Sequence, residues 1–214
     1  MTVQEKRITY SLVRHGTTKW NVEGRMQGHT DVPLSPAGIE QAERVANRIC
    51  SLPIPPQIVW SSDLERAEHT ARLTASKLDA ELYTTPLLRE VMLGEWEGLT
   101  QDEIIQRGDG ALLELYRNNP YYHRPPGGES LDAVWARMMD VQRQIRSNMI
   151  SGSVVIVGHG GCLRAIICAA LQSPVASMHR IWLDNASLTT IEEVDRNGLL
   201  STRLTLMNDV SHLV

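Results

Sequence analysis

The chain has 214 residues and a formal net charge of −4 at pH 7. A chain of roughly 200 to 250 residues is long enough for one sizeable core, so we expect a single domain over residues 1–214. The mildly acidic balance argues against nucleic acid or an anionic membrane as a partner, and no apolar run approaches the roughly 18 residues that a membrane-spanning helix needs. Residues 1–7 lack the apolar core of a signal peptide, so we expect a cytoplasmic protein.

The first half of the chain alternates short apolar strands with amphipathic helices. Ser35 and Pro36 are a favoured N-cap and a favoured first helical residue, and apolar residues follow them with a helical period. Ser62 and Glu65 have the spacing of a capping box, which predicts that a helix opens there. The predicted elements are a strand at 8–13, a helix from 36 to 50, a strand at 57–60 and a helix from the capping box to about residue 78.

The second half begins with a loosely patterned stretch from about residue 94 to 128, in which glycine and proline are frequent. We interpret this stretch as a small helical cap excursion over the sheet edge. Beyond it we predict a helix at 131–149, an apolar strand at 153–157, a buried helix at 162–171 and a hairpin with strands at 188–194 and 200–206. The alternation predicts an α/β fold, specifically a three-layer α/β/α sandwich with a mostly parallel central sheet.

The cysteines give no indication of a disulfide framework or a metal site. Their number is odd, no C-x-x-C pair is present, and Cys50, Cys162 and Cys168 lie in apolar, helix-like surroundings. We therefore expect reduced thiols that pack as small hydrophobic groups.

Two of the predicted strands end in a histidine that is followed by glycine, at His15 and His159. In open parallel sheets the binding crevice lies outside the carboxyl ends of the strands, so we expect both histidines at one edge. Arg14 and Arg66 add guanidinium groups suited to phosphate or carboxylate, and a cation in the first turn of a helix indicates an anion nearby. Each of these residues alone, and Glu90 with them, is most often an ordinary structural or surface residue. Their convergence predicts an active site.

Five ordered motifs resemble those of the histidine phosphatase superfamily, also called the phosphoglycerate-mutase-like family. The first motif, LVRHGT at 12–17, is accompanied by Asn21, the stretch 25–28, Asp31 and the stretch 33–35. The others are SSDLERA at 61–67 with 70–71, LRE at 88–90 with GEWEG at 94–98, PGGES at 126–130 and VGHGG at 157–161. The resemblance spans roughly residues 8–171.

The resemblance implies a covalent mechanism on phosphate esters. His15 is implied as the nucleophile that forms a phosphohistidine intermediate, with Arg14, Arg66 and His159 around the transferred group. Glu90 is implied as the acid that protonates the leaving alkoxide and then as the base that activates water. The implied supporting donors are Asn21, Gln27 and the backbone of Gly160. The scheme requires no metal and no other cofactor.

The family contains phosphatases and cofactor-dependent mutases, and two features favour the phosphatases. The mutases typically carry a longer, more basic insertion after the acid, whereas the stretch between Glu90 and Gly127 is short and has no lysine. The mutases also tend to have Gly-Asn after the second histidine, where this chain has Gly160 and Gly161. We therefore expect a metal-independent phosphomonoesterase for small phosphorylated metabolites. The alternatives are a phosphoglycerate mutase and an inactive relative that binds phosphorylated ligands.

The cap is expected to select the leaving group, but its sequence does not specify which alcohol leaves. Among its residues, His123 and Arg124 are predicted to bind substrate, and Arg124 would favour an acidic leaving group. The aromatic residues of the cap are further candidate contacts, although such residues more often serve packing. They are Trp96, Tyr116, Tyr121 and Tyr122. An exposed aromatic residue or an edge strand would also suit a homodimer.

Overall fold

The structure is a computed structural model that describes residues 5–149 and 151–214. Its strands are β1 (Glu5–Arg14), β2 (Ile58–Ser62), β3 (Glu81–Thr85), β4 (Gly152–Gly158), β5 (Leu188–Arg196) and β6 (Leu199–Asp209). Its α-helices are α1 (Lys19–Val22), α2 (Pro36–Cys50), α3 (Glu65–Leu78), α4 (Gln101–Ile104), α5 (Gly110–Asn118), α6 (Leu131–Asn148) and α7 (Gly160–Ala170). No helix within these ranges has the length and apolar character needed to cross a membrane.

The strands form one sheet in the order β3-β2-β4-β1-β5-β6. Strands β1 to β4 pair in parallel, and β5 and β6 add an antiparallel hairpin beside β1. The predicted mostly parallel sheet and the predicted hairpin are therefore confirmed. Strand β3 was not predicted, because it is a short edge strand whose side chains are all exposed or half-buried and so lack an apolar pattern.

Helices cover both faces of the sheet, as the predicted three layers require. Val154 and Ile156 of β4 pack in the core under α6 and α7, whereas Val155 and Val157 pack in the core under α2 and α3. Because successive side chains of a strand point to opposite faces, a strand covered on both sides is apolar throughout. This arrangement explains the continuous apolar run that precedes His159.

The start of α2 was predicted correctly, but the start of α3 was not. Ser35 Oγ accepts a hydrogen bond of 3.1 Å from the Gly38 N–H, as an N-cap does. The predicted capping box of Ser62 and Glu65 is wrong, because β2 continues through Ser62 and α3 begins only at Glu65. The Glu65 N–H instead donates to Asp31 Oδ1 at 2.8 Å. The capping group comes from a distant loop, which is thereby held beside the first turn of α3.

Gly16 allows the chain to turn sharply at the end of β1. A Cβ atom at Gly16 would lie 2.2 Å from the Gly38 carbonyl oxygen, and one at Gly38 would lie 2.0 Å from the Thr17 carbonyl oxygen. Only two glycines permit this approach between the exit of β1 and the first turn of α2. The glycine after His15 is therefore required by packing within the fold.

The segment predicted as a cap is helical through residue 118. A 3₁₀ turn at Gly94–Trp96 leads into α4, a π-helical turn at Ile105–Asp109 and then α5. Trp96, Ile104 and Leu113 form a small buried cluster inside this segment. Met26 and Tyr116 pack against both this cluster and the main core, and Tyr116 brings part of α5 to the cavity that contains His15.

Candidate active site

His15 lies directly after β1, and only 3% of its surface is exposed. Its Nδ1 lies 2.7 Å from the Gly16 carbonyl oxygen. Because a carbonyl only accepts hydrogen bonds, Nδ1 carries the proton and the lone pair of Nε2 is free. Burial, and then the charges of Arg66 and Arg14, hold the pKa of His15 well below its ordinary 6.5. The ring is neutral at pH 7 and can act as a nucleophile.

His159, directly after β4, carries its proton on the other nitrogen. The Nε–H of Arg66 donates to His159 Nδ1 at 3.2 Å, so the proton of a neutral His159 ring is on Nε2. Nε2 is buried and has no hydrogen-bond partner among the described residues. The ring centroids of His15 and His159 are 5.0 Å apart. An unpaired buried donor beside a free lone pair indicates a missing acceptor, such as an oxygen of a ligand.

Arg66 is fully buried and holds its position by donating to neutral groups. Besides its bond to His159, it donates to the carbonyl oxygens of Thr30 at 2.9 Å and Gly28 at 2.8 Å. Within the described residues no carboxylate lies within 4.0 Å of its nitrogens. Burial lowers the pKa of Arg66, but a guanidinium stays charged in proteins. Its positive charge is therefore available to bind an anion.

Arg14, the last residue of β1, is held in a similar way. Its Nη1 donates to the carbonyl oxygen of Leu183 at 2.6 Å, and its buried Nε has no partner in the part of the chain that the structure describes. Burial again lowers the pKa of the guanidinium, and the charge of Glu90 acts in the opposite direction. Arg14 thus presents a second fixed positive charge beside His15.

Glu90 reaches the site from the loop after β3. Its Oε1 accepts hydrogen bonds from the Gly161 N–H at 2.8 Å and from the Val91 N–H at 2.9 Å. A Cβ atom at Gly161 would lie 2.3 Å from Glu90 Oε1, so any larger residue there would displace the carboxyl group. Gly161 therefore leaves the space in which Glu90 sits at the start of α7.

Arg137 of α6 holds the loop that carries Glu90. It donates to the carbonyl oxygens of Leu87 at 2.8 Å, Arg89 at 2.6 Å and Glu90 at 3.0 Å. Glu129, from the PGGES motif, pairs with Arg137 at 2.8 Å, and both side chains are largely buried. One planar guanidinium thus fixes three backbone carbonyl groups of the segment 87–90 and is itself fixed by a carboxylate. Sequence reasoning missed this residue, since an arginine on a long helix is usually a surface charge.

A cavity of about 280 Å³ opens onto these residues. Asn21 and Gln27 both line it. The side-chain oxygen of Asn21 accepts from the Thr18 N–H at 3.0 Å and from Asn185 Nδ2 at 3.3 Å, and that of Gln27 accepts from the Thr18 hydroxyl at 3.1 Å. Their amide N–H groups are therefore the parts left to meet a ligand. The walls bring together most of the predicted residues, namely Arg14, His15, Asn21, Gln27, Arg66 and Glu90.

Other predicted residues lie around this cavity or away from it. A Cβ atom at Gly160 would lie 3.7 Å from Glu90 Oε2 and 3.8 Å from Arg14 Nε, so Gly160 lies against the site. His123 and Arg124 do not line the cavity, and Arg124 is exposed. Their roles in substrate binding stay predictions. Of the aromatic residues of the cap, Tyr116 lines the cavity.

Two cavity residues outside the predicted set are arginines. Arg25 follows α1, and Arg164 lies in α7. Arg164 had a signal in the sequence, because it is the only charged residue in the otherwise apolar helix predicted at 162–171. A charge on a buried helix one turn after His159 indicates a polar cavity on that side.

The structure offers no cluster of metal ligands in the ranges that it describes: no group of three His, Cys, Asp or Glu side chains there could hold an ion. The three cysteines are unpaired. Buried Cys162 contacts the backbone of His159 through its sulfur, at 3.2 Å from the N–H group. Burial raises the pKa of this thiol to about 12, so it stays protonated and supports the histidine without reacting itself.

Comparisons with known proteins agree with this geometry. A family model described as the histidine phosphatase superfamily (branch 1) matches residues 10–207. A metal-independent phosphoserine phosphatase of Arabidopsis thaliana is 34% identical over 203 residues, which cover 94% of this chain and 82% of the relative. A probable phosphoglycerate mutase GpmB of Enterobacter sp. is 32% identical over 203 residues, which cover 94% of this chain and 93% of the relative. The structure of a mycobacterial glucosyl-3-phosphoglycerate phosphatase with VO3 has a TM-score of 0.84 at 32% identity, covering 95% of this chain and 99% of that one.

Proposed function

The chain belongs to the histidine phosphatase superfamily, and we propose that it is a metal-independent phosphomonoesterase that hydrolyses small phosphorylated metabolites through a phosphohistidine on His15. Phosphatases among its relatives and structural neighbours support the reaction class. The observation that carries the mechanism is the opposite protonation of two adjacent rings, since His15 has a free Nε2 lone pair and His159 has an unpaired Nε2–H.

In the first step His15 Nε2 attacks the phosphorus, and the bond from phosphorus to the ester oxygen breaks. The leaving alkoxide takes a proton from the Glu90 carboxyl group and departs as a neutral alcohol. The phosphorylated ring keeps its Nδ1 proton on the Gly16 carbonyl oxygen, 2.7 Å away. That bond stabilises the positive charge which forms on the imidazole when Nε2 is phosphorylated.

Donors fixed before the substrate arrives stabilise the transferred group. Arg14, Arg66 and His159 supply charge and hydrogen bonds to its oxygens, and the amide groups of Asn21 and Gln27 complete the set. Because backbone carbonyl groups and neighbouring side chains already orient these groups, little reorganisation is needed when charge develops in the transition state. This arrangement is the main source of rate acceleration in the proposed mechanism.

In the second step water replaces the alcohol. Glu90, now a carboxylate, accepts a proton from the water as its oxygen attacks the phosphorus. The phosphorus–nitrogen bond breaks, inorganic phosphate leaves, and His15 recovers its lone pair. Glu90 is protonated again, so the enzyme returns to its starting state.

A direct assay separates this proposal from its alternatives. The wild-type protein should hydrolyse p-nitrophenyl phosphate in the presence of excess chelator, which an inactive phospho-ligand-binding relative would not do. Phosphoglycerate mutase activity, suggested by the relative with that name, would appear as interconversion of 3- and 2-phosphoglycerate that depends on 2,3-bisphosphoglycerate. Inactivity towards every monoester tested would refute the phosphatase.

The acid role of Glu90 has a separate test. The Glu90→Gln variant should lose about 10²- to 10⁴-fold in kcat for alkyl phosphates but much less for p-nitrophenyl phosphate, whose phenol leaves without full protonation. The measurement is kcat for a series of esters with increasing leaving-group pKa. An equal loss along the series would exclude Glu90 as the proton donor.

A further inference from the structure

The cavity has a wall that the proposed chemistry does not use. Arg164 of α7 and Tyr116 of α5 both line the cavity that contains His15. We call these two residues the Arg164–Tyr116 wall. They come from different elements, one from the layer of helices and one from the cap.

Arg164 is oriented by the backbone but is not neutralised. Its Nε donates to the carbonyl oxygen of Gly160 at 2.8 Å, one turn earlier in the same helix. Among residues 5–149 and 151–214, no carboxylate lies within 4.0 Å of its guanidinium nitrogens. Arg25, in the same cavity, differs, because it pairs with Glu23 at 3.0 Å and Glu103 at 2.7 Å. Arg164 is therefore an available cation, whereas Arg25 is largely neutralised.

The cavity carries more positive charge than one phosphoryl group needs. Four arginines line it and Glu90 is its only carboxylate among the described residues. Arg164 lies close enough to Arg14 to lower the pKa of that guanidinium, whereas the charges of Glu90 and Asp184 act in the opposite direction. The repulsion between the two guanidinium groups costs stability unless a ligand offsets it. Arg14 faces the phosphoryl group at His15, which leaves Arg164 for a second anion.

Tyr116 adds a hydrogen-bond donor to the same wall. Burial raises the pKa of its hydroxyl to about 12, so the O–H group stays protonated at neutral pH. Its ring packs edge-on against the ring of Trp96, with centroids 5.7 Å apart, and this contact holds a side chain that lines the cavity. A fixed guanidinium and a phenolic O–H together suit an anionic oxygen pair.

We propose that Arg164 and Tyr116 bind an anionic group, a carboxylate or a second phosphate, on the leaving alcohol. The natural substrates are then phosphate monoesters of small acidic alcohols, in which the phosphoryl group meets His15 and the second anion meets the wall. The inference rests on the proposed function and names its substrate class. It also moves acid recognition from Arg124, which is exposed and outside the cavity, to α7 and α5.

The test uses two esters that differ in one group. In 3-phosphoglycerate a carboxylate stands where glycerol 3-phosphate has a hydroxymethyl group. Wild-type kcat/KM should favour 3-phosphoglycerate at least about tenfold, because a hydrogen bond to a charged group is worth several-fold to a hundredfold in binding. Arg164→Met and Tyr116→Phe should reduce that ratio, Arg164→Met to below about threefold. Arg143→Met, which changes an exposed arginine of α6, is the matched control and should keep the wild-type ratio.

Two results would overturn the proposal. One is a wild-type enzyme that prefers neither 3-phosphoglycerate nor 2,3-bisphosphoglycerate, which supplies a second phosphate, over glycerol 3-phosphate. The other is an equal loss by Arg164→Met on both esters and on p-nitrophenyl phosphate, which would assign Arg164 to the phosphoryl group.

A binding measurement keeps this test independent of turnover. In the His15→Ala background, the affinities for 3-phosphoglycerate and glycerol 3-phosphate can be compared by calorimetry, with and without Arg164→Met. If the His15→Ala protein binds 3-phosphoglycerate more tightly and Arg164→Met removes that preference, the result supports the Arg164–Tyr116 wall. It does so even if no ester is hydrolysed, an outcome that would refute the phosphatase and leave the wall intact. Equal affinities in the His15→Ala background would refute the wall even if hydrolysis is observed.

Discussion

Arginines at the carboxyl ends of the parallel strands and arginines at the other end of the sheet are held by different partners. We call these two ends the catalytic edge, which contains the candidate site, and the opposite edge. At the catalytic edge, Arg14, Arg66 and Arg164 donate to backbone carbonyl oxygens and have no carboxylate within ion-pair distance in the described residues. At the opposite edge, Arg146 pairs with Glu193, with Nε 2.8 Å from Oε1, and Arg196 pairs with Glu5 at 2.9 Å.

The difference shows how a protein can position a cation without neutralising it. A carbonyl dipole orients a guanidinium through a hydrogen bond but leaves its net charge, whereas a carboxylate cancels that charge. Burying unpaired charge costs free energy, so it is retained mainly where a ligand supplies the missing anion. At the opposite edge Arg146 and Arg196 are paired with carboxylates, so their charges are balanced within the protein itself.

The largest expected effect comes from His15, the proposed nucleophile. His15→Ala should lose all measurable turnover while the protein stays folded, because the unpaired cations around it cannot form a phosphohistidine. The measurements are phosphate release and trapping of the phosphorylated enzyme. His69→Gln, which changes a half-buried histidine of α3, is the control, and this variant should keep the wild-type activity. Substantial activity in His15→Ala would show that another group attacks.

The next effect compares one arginine from each edge. Arg66→Met should lower kcat/KM by about 10²- to 10³-fold, the usual cost of removing one fixed donor from the transition state. Arg146→Met should change kcat/KM less than about twofold per folded molecule, and should instead lower the free energy of unfolding because Glu193 loses its partner. If Arg146→Met lost as much activity as Arg66→Met, the distinction between the edges would be wrong.

Arg137 sharpens the comparison, since it lies at the catalytic edge but has the carboxylate partner Glu129. We therefore expect it to position the Glu90 loop without binding substrate. Arg137→Lys keeps the charge but loses the planar fork, so kcat for alkyl phosphates should fall about tenfold and kcat for p-nitrophenyl phosphate much less. Arg146→Lys is the matched control on the same helix. An increase in KM with unchanged kcat would contradict a positioning role.

The smallest effect concerns pH. The pKa values of His15 and His159 lie well below the 6.5 of an unfolded histidine, so the unfolded chain binds more protons below that pH. The stabilising contribution is complete above pH 6.5 and is lost as the pH falls towards the folded values, by up to about 1.4 kcal/mol per pH unit for each ring. Urea unfolding between pH 7.5 and 5.5 (about one unit either side of the histidine value) measures this slope. It should be smaller in His15→Gln, and an unchanged slope would contradict the assignment.

Much of the fold could be predicted because its main elements have strong local patterns. The apolar runs of β1 and β4 and the periodic apolar faces of α2 and α6 can be recognised from the sequence. The two strands also locate His15 and His159, which follow them directly. Elements whose partners are distant in the sequence were missed or misplaced. Edge strand β3 lacks an apolar pattern, and the start of α3 depends on a hydrogen bond from the Glu65 N–H to Asp31 in another loop.

The candidate site divides in the same way. The family-like motifs located Arg14, Arg66 and Glu90 from local sequence, and the cavity brings them together. They did not locate Arg137 or Arg164, because an arginine in a helix acquires a role only from what packs against it. Whether it is paired with a carboxylate or left charged depends on residues that are far away in the chain.

The sequence by itself determined where the two histidines stand, because a buried strand followed by glycine specifies a residue at the edge of the sheet. Only the folded structure decided which nitrogen of each ring carries the proton, and for His159 the deciding contact is a tertiary one. His15 is set by its own neighbour, the Gly16 carbonyl oxygen, but His159 is set by Arg66, which lies 93 positions away. Hydrogen-bond partners select the tautomer of a histidine, and such partners exist only once the chain has folded.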